Sequence, residues 1–260
     1  MEFVKHPSPN YGLRRAGTEI DFIILHYTAM STKKSLERLC DPVHEVSCHF
    51  LIDMFGTCYQ LVDENKRAWH AGKSYWRGYK DLNSRSIGIE LVNSGNEQFP
   101  EVQIKSLIML LQHLLEVHNI NPKNVLGHSD IAPSRKSDPG RWFNWKKLAN
   151  YGVALFPEVS APMGCDKQLF LNQAKRTGFD PDANFEDILR TFRNRCRPNF
   201  TGEFDGYDCA LMQKFANSFN IDESQIHNSS NSCGWLDGRE YTRGKSGLLK
   251  AAVPGNARAG

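Results

Sequence analysis

Short apolar segments that end at polar side chains recur along the first part of the chain and predict buried strands. They cover residues 20–27 (IDFIILHY), 86–92 (SIGIELV) and 124–127 (NVLG). Two alternating runs on either side of residues 54–57 predict a β-hairpin. Together these segments predict one sheet at the centre of the fold.

Apolar residues at helical spacing lie between the predicted strands. Residues 101–118 show this spacing, and Ser31 is suited to cap the helix that follows it. Strands that alternate with helices in this order predict an α/β fold, in which a mixed central sheet is flanked by helices on both faces. We place this first domain at residues 1–157.

The rest of the chain follows a different pattern. Residues 158–165 are typical of a linker, and the helical patterns beyond it predict a small C-terminal helical domain over residues 166–222. Residues 223–260 are rich in Asn, Ser, Gly, Arg and Ala and contain few apolar side chains, so we predict a flexible tail there.

Composition excludes some function classes. Among 260 residues, 32 basic and 29 acidic side chains are mixed along the chain, so no basic stripe predicts binding to nucleic acid. No stretch is apolar for long enough to span a membrane. The oligomeric state is left open.

The cysteines and the N-terminus bear on location. Seven cysteines without CxxC spacing favour free thiols and a reducing compartment, although one or two disulfides could form in an oxidising one. The first residues lack the pattern of a signal peptide. We therefore expect a cytoplasmic location, with the periplasm or cell envelope as the alternative.

Three polar residues at the ends of predicted strands or in the loop behind them are candidate metal ligands. His26, His128 and Asp138 are the residue types of an open catalytic zinc site, which takes three protein ligands and leaves one position free. With nine histidines in the chain, however, any one of them could be a structural or surface residue. Spacing alone leaves both interpretations open.

Two further residues could take part in chemistry near such a site. Glu90 is the single acid in an apolar strand, so it is either a general base or the partner of a cation such as Arg85 or Arg67. Lys136 could stabilise a developing oxyanion, or it could be a solvated loop lysine.

Other nucleophiles in the sequence are less well placed. Ser129 lacks the GxSxG turn that would expose it. Cys48 and His49 are adjacent, and adjacent residues of a strand face opposite sides, so a thiol–imidazole pair is disfavoured. His49, His70 and Trp69 could line a groove, in which the indole offers a face for a sugar, or could pack in the core.

Several motifs in order make the chain resemble the type 2 N-acetylmuramoyl-L-alanine amidases, in particular the bacterial AmpD and AmiD branch. The matched stretches are FIILHYTA, SCHFLID, GTCYQLVDENKRAWHAG, LNSRSIGIELVN, LGHSDIAPSRKSDPG and FNWKKLANYG. They span nearly all of the first ~155 residues. The resemblance implies a fold like that of peptidoglycan-recognition proteins and a C-terminal domain that binds peptidoglycan.

The resemblance also implies a function for each candidate residue. It assigns Zn²⁺ to His26, His128 and Asp138, and the catalytic roles to Glu90 and Lys136. Further candidate contacts to substrate are Tyr27, His49, Trp69, His70, Asn83 and Arg85.

The implied reaction is hydrolysis of the amide bond between N-acetylmuramic acid, intact or in the 1,6-anhydro form, and L-alanine. The substrates would be peptidoglycan or its muropeptide fragments, in cell-wall turnover or recycling in a bacterium. The alternative is a module that recognises peptidoglycan without cutting it, because proteins of this fold that only bind have commonly lost a zinc ligand.

Overall fold

A six-stranded mixed sheet forms the centre of the molecule in the computed structural model, which describes residues 2–164 and 166–219. The eight strands are β1 (Val4–Lys5), β2 (Tyr11–Leu13), β3 (Phe22–Tyr27), β4 (Phe50–Ile52), β5 (Cys58–Gln60), β6 (Lys66–Ala68), β7 (Ser86–Leu91) and β8 (Val125–Gly127). The central sheet has the order β1-β5-β4-β7-β3-β8, and β2 and β6 form a separate antiparallel pair. The predicted mixed sheet is confirmed.

Seven α-helices accompany the strands in the described residues. They are α1 (Thr32–Cys40), α2 (Glu101–Val117), α3 (His128–Ile131), α4 (Trp145–Asn150), α5 (Lys167–Thr177), α6 (Phe185–Cys196) and α7 (Gly206–Ser218). Within these residues, no helix combines the length and apolarity that crossing a membrane requires.

Side chains of the central strand β3 alternate between two hydrophobic cores. Ile23 and Leu25 pack with residues of α2 on one face, whereas Phe22 and Ile24 pack with α5, α6 and α7 on the other. All four side chains are buried, since β3 lies between two parallel neighbours and helices cover both faces. The helices beyond residue 166 thus share a core with the sheet.

The domain boundaries drawn from the sequence stay a prediction. The described residues belong to one compact unit, within which α5, α6 and α7 pack against the sheet. The tail predicted for residues 223–260 lies outside the described residues.

The segment after β8 begins with a single helical turn. Residues 128–131 form this turn, α3, because the Asp130 carboxylate accepts the Gly127 N–H and closes it. The rest of the segment up to α4 is irregular. Phe143 and Trp145 anchor its end because both are buried, whereas Trp142 is 39% exposed.

Candidate active site

The carboxyl ends of three parallel strands bring the candidate ligands and the acid together. His26 lies near the end of β3 and is paired in register with Glu90 of β7. His128 directly follows β8, the other neighbour of β3. Paired residues of neighbouring strands point to the same face, so His26 and Glu90 project side by side at one sheet edge.

The α3 turn contains one of the other two candidate ligands and is hydrogen-bonded to the backbone of the second. His128 is its first residue, and the backbone N–H of Ser129 donates to the carbonyl of Asp138 at 2.9 Å. This hydrogen bond ties the start of the segment to residue 138, ten positions further along. The backbones that carry His128 and Asp138 are therefore held next to each other.

Three side-chain atoms form a tight triangle at this edge. His26 Nδ1 lies 2.9 Å from His128 Nδ1, and both nitrogens lie 3.0 Å from Asp138 Oδ2. All three side chains are buried. Among the described residues, this is the group of His, Cys, Asp and Glu side chains whose geometry suits a metal ion.

Hydrogen bonds behind the histidines determine which nitrogen carries the proton. His128 Nε2 donates to the carbonyl of Ala71 at 3.2 Å. His26 Nε2 donates to His70 Nδ1 at 3.1 Å, His70 Nε2 donates to Ser86 Oγ at 3.3 Å, and the Ser86 hydroxyl donates to the carbonyl of Leu82. Both Nδ1 atoms therefore face the triangle as bare acceptors.

Three acceptors at these distances repel one another unless a cation lies between them. Burial, and next the proximity of His128, lowers the pKa of His26 to about 4, so a proton on this imidazole is not the compensating charge at neutral pH. Two imidazole nitrogens and one carboxylate oxygen are the donor set of a catalytic zinc site. The residues present fit a divalent metal ion.

Glu90 is kept out of ion pairs. Its Oε2 is shielded from solvent and has no hydrogen-bond partner among the described residues. Burial, followed by the negative charge of Asp138, raises the pKa of Glu90 to about 8, and Lys136 opposes this effect. Arg67 pairs with Asp81, and Arg85 pairs with Asp21. The alternative of a Glu90–arginine pair is therefore wrong.

Lys136 lies on the same loop as Asp138 and is half-buried. Its positive charge acts on both Glu90 and His26, which places the ammonium group near the cluster. Its backbone N–H donates to the carbonyl of Ala132 and so helps to shape the loop.

A cavity of about 400 Å³ lies next to the cluster. His70 connects the two, since it forms part of the cavity wall and accepts a hydrogen bond from His26. Its lining includes Arg67, Trp69, His70, Asn83 and Arg135. Asn83 supports this wall, since its Oδ1 accepts the N–H groups of His70 and Ala71. The structure thus brings three of the predicted substrate contacts, Trp69, His70 and Asn83, to one cavity.

The other three predicted contacts are placed differently. Tyr27 is half-buried, and its hydroxyl lies 3.1 Å from Ser137 Oγ on the loop that carries the ligand aspartate. His49 is fully buried; its Nδ1 accepts the Gly88 N–H and its Nε2 donates to the Lys66 carbonyl. Neither nitrogen of His49 is left to bind a substrate.

Arg85 lies at the opposite end of the sheet from the cluster. It immediately precedes β7, pairs with Asp21 and stacks over the ring of Tyr79 at 4.2 Å. The structure does not bring this guanidinium to the cavity.

Some residues at the site escaped the sequence analysis. Ser86 completes the hydrogen-bond chain behind His26, and Arg135 donates to the carbonyls of Ala71 and Lys73 beside the cavity. Gly88 leaves room for the imidazole of His70, because a Cβ at that position would lie 2.4 Å from the ring. A glycine inside a strand is a sign of such close approach and could have revealed this position.

Comparison with known proteins agrees with this geometry. Residues 16–141 match the N-acetylmuramoyl-L-alanine amidase family. The chain is 34% identical to the amidase AmiD of Escherichia coli in an alignment that covers 78% of this chain and 84% of AmiD. The chain belongs to the N-acetylmuramoyl-L-alanine amidase family. It is also 32% identical to the 1,6-anhydro-N-acetylmuramyl-L-alanine amidase AmpD of Haemophilus influenzae, over 54% of this chain and 86% of AmpD.

Two solved structures of family members extend the similarity beyond the metal cluster. Escherichia coli AmiD, in complex with anhydro-N-acetylmuramic acid-L-Ala-D-γ-Glu-L-Lys, matches with a TM-score of 0.73 and 34% identity over 80% of this chain and 93% of that one. AmpDh3 of Pseudomonas aeruginosa, in complex with an anhydromuramic pentapeptide, has a TM-score of 0.70 and 30% identity over 82% and 95%. This amidase-family chain therefore shares most of its described fold with both proteins.

Proposed function

We propose that this protein hydrolyses the amide bond between N-acetylmuramic acid, intact or in the 1,6-anhydro form, and L-alanine in peptidoglycan or its fragments. The observation that carries the proposal is the triangle of His26 Nδ1, His128 Nδ1 and Asp138 Oδ2, with the partnerless carboxylate oxygen of Glu90 on the neighbouring strand. The chain's membership of the amidase family supports the bond that we assign.

The three cluster residues would hold a zinc ion. Zinc suits the set because two imidazole nitrogens and one carboxylate oxygen would supply three protein ligands, the number that catalytic zinc sites use. When bound, the ion polarises the scissile carbonyl and makes water a stronger nucleophile at neutral pH. His70 and Ala71 fix the orientation of the imidazoles through the hydrogen bonds that they accept.

Glu90 is the general base in this proposal. Its carboxylate lies beside His26 at the strand ends and has an oxygen free to accept a proton from the attacking water. Once protonated, the same group can deliver that proton to the nitrogen of L-alanine as the carbon–nitrogen bond breaks. A site with a positive ion nearby keeps Glu90 ionised more readily than burial alone would allow.

Lys136 stabilises negative charge during the attack. The carbonyl oxygen gains a full charge when water adds to the carbon, and an ammonium group near the cluster lowers the energy of that state. Because the lysine is half-buried, its charge is less screened than that of a surface lysine.

The cavity beside the cluster is suited to a sugar and a short peptide. Trp69 offers an aromatic face for the sugar ring, and Arg67 and Arg135 offer positive charge to the carboxylates of a stem peptide. The AmiD and AmpDh3 structures contain anhydro-muropeptides, which supports a substrate of this class.

Mass spectrometry of muropeptides and anhydro-muropeptides incubated with the purified protein tests the proposal. We expect free stem peptide, its loss on chelation and its return with added zinc; the two sugars are compared in parallel. If the substrates stay intact despite full zinc occupancy, the protein is a peptidoglycan-binding module and not an amidase. Release that resists chelation would indicate a metal-independent hydrolase with Ser129 or Cys48 as its nucleophile, although the Cys48 thiol is buried and donates to the Phe50 carbonyl.

A further inference from the structure

Helix α6 of the C-terminal segment touches the loop that carries two of the three cluster residues. Arg190 donates to the carbonyl of Pro133 at 2.6 Å, and Ser134 donates a hydrogen bond to Asp187. The third contact is an ion pair between Arg195 and Asp130 at 2.8 Å. Three residues of one helix thus hold successive points of the loop between His128 and Asp138.

The Arg195–Asp130 pair is the buried member of this set. Both residues are 3% exposed, so neither charge is compensated by solvent. Arg195 also donates to the carbonyl of Leu155 at 2.9 Å, and its guanidinium stacks over the ring of Trp145 at 3.7 Å. These contacts fix the guanidinium in one place before it reaches the loop.

Asp130 connects Arg195 to the backbone of the candidate metal ligands. The same Oδ2 that pairs with Arg195 accepts the Gly127 N–H at 2.7 Å and closes the turn that begins at His128. The next residue in that turn, Ser129, donates its backbone N–H to Asp138. One carboxylate oxygen therefore connects helix α6 to the backbones of two cluster residues.

We propose that Arg195 is a positioning residue for the metal site, and that α6 completes the active site in addition to any contact of the helices with peptidoglycan. The proposal rests on the proposed function to the extent that the cluster binds a metal ion. A buried ion pair at this place matters because a displacement of the α3 turn, which begins with His128, would move His128 away from Asp138.

A matched pair of variants separates positioning from general stability. Arg195→Met removes the Arg195–Asp130 ion pair, whereas Arg193→Met removes another guanidinium of the same helix, which pairs with Asp208 of α7 and not with the loop. We expect Arg195→Met to raise the dissociation constant for Zn²⁺ or Co²⁺ by ~10-fold or more, the scale of a lost outer-shell contact to a metal site. Arg193→Met should keep the wild-type constant.

Hydrogen exchange in the metal-free protein measures directly how firmly the Arg195–Asp130 ion pair holds the loop. Amides of residues 127–138 should exchange faster in Arg195→Met than in Arg193→Met, and Arg195→Lys, which keeps the charge, should restore part of the protection. Wild-type protein that binds no metal would contradict the proposed function and leave this comparison intact. Unchanged exchange and unchanged metal affinity in folded Arg195→Met would overturn the positioning role.

A double variant covers the case in which Arg195→Met does not fold. Arg195→Met combined with Asp130→Asn leaves no buried charge without a partner, and the asparagine oxygen can still accept the Gly127 N–H. We expect this protein to fold, to bind Co²⁺ more weakly than the wild type and to show an altered visible spectrum of the bound ion. A wild-type spectrum and affinity would show that the pair contributes only to stability.

Discussion

The buried carboxylate Asp208 with its two arginines and the candidate metal ligands at the sheet differ in how their polar groups are paired. In the C-terminal helices, Asp208 is fully buried; its Oδ1 accepts hydrogen bonds from Arg193 and Arg197, and its Oδ2 accepts one from Arg193. At the sheet edge, His26, His128 and Asp138 turn acceptors towards one another with no donor between them. In the first cluster every charge has a partner within the protein, whereas the second has the geometry to hold a cation.

Buried polar groups that pair within the protein serve its structure, whereas buried acceptors without such pairs are suited to bind a ligand. A buried carboxylate with its cations in place costs little beyond desolvation and needs no ligand. A set of acceptors that face each other keeps its binding capacity, at the expense of stability when no ion is present. Glu90, with one oxygen that has no partner, belongs with the second kind.

The largest effect should follow from removal of a cluster ligand. His26→Ala leaves two ligands, so we expect loss of bound zinc and a fall in kcat/KM by ~1,000-fold or more, because several kcal/mol of transition-state stabilisation disappear. Metal analysis and single-turnover hydrolysis measure this. Full zinc occupancy with normal turnover would remove His26 from the ligand set.

Loss of Asp208 from its ion pairs with Arg193 and Arg197 should lower the stability of the protein and leave catalysis unchanged. Asp208→Ala leaves two half-buried guanidiniums without the buried carboxylate that they share, and we expect a loss of about 3 kcal/mol in the free energy of unfolding. Urea denaturation measures it. Zinc content and kcat per folded molecule should stay at wild-type levels; a selective loss of either would show that this cluster also serves the site.

Glu90→Gln should separate metal binding from chemistry. The amide keeps the shape of the side chain but cannot accept the proton of water, so we expect full zinc content and a rate lower by ~100-fold or more. The pH dependence of kcat/KM should lose its acidic limb in the same variant. An unimpaired rate would mean that another group takes the proton.

Gly88→Ala should displace the imidazole of His70, which supports His26 through a hydrogen bond. The added Cβ would lie 2.4 Å from the His70 ring, which must move and loosen its hydrogen bond to His26. We expect zinc affinity to fall by ~10-fold. Gly164→Ala is the matched control, because a Cβ there meets no atom within 4 Å. Equal affinities in the two variants would show that His70 does not position the ligand.

The smallest effect concerns the stability of the metal-free protein. Burial raises the pKa of Glu90 from 4.5 to about 8, so the folded state binds more protons than the unfolded state between these values, and stability falls as pH rises through this range. Glu90→Gln removes that cost. We expect it to stabilise the chelated protein by about 1 kcal/mol at pH 8, after allowance for partial access of the residue to solvent, and not at pH 4. Equal unfolding temperatures at pH 8 would refute this.

Predictions from the sequence were most accurate where local pattern and burial agree. The apolar runs at residues 20–27 and 86–92 match β3 and β7, because a strand covered on both faces must be apolar throughout. Helical spacing at residues 101–118 matches α2 to within one residue. The turn α3 was missed, because four residues are too few to show a period and its closure depends on one side chain, Asp130.

Among the candidate substrate contacts, the sequence could not separate those at the cavity from the others. Trp69 follows β6 and lines the cavity, whereas Arg85 precedes β7 and lies at the far end of the sheet. Asn83, only two positions before Arg85, nevertheless lines the cavity. Which of these side chains reaches the cavity depends on how distant segments of the chain pack together, and not on neighbouring residues.

The sequence by itself determined the order of strands and helices, the family of the chain and the three residues of the candidate metal site. Each of these follows from the local pattern of apolar and polar residues or from sequence motifs that occur in a fixed order. Only the tertiary structure decided the proton positions on His26 and His128, the lack of a hydrogen-bond partner for Glu90 Oε2 among the described residues, and the contact of Arg195 with Asp130 in the loop between His128 and Asp138. The hydrogen bonds among these features join residues up to 65 positions apart, so they form only once distant segments of the chain pack together.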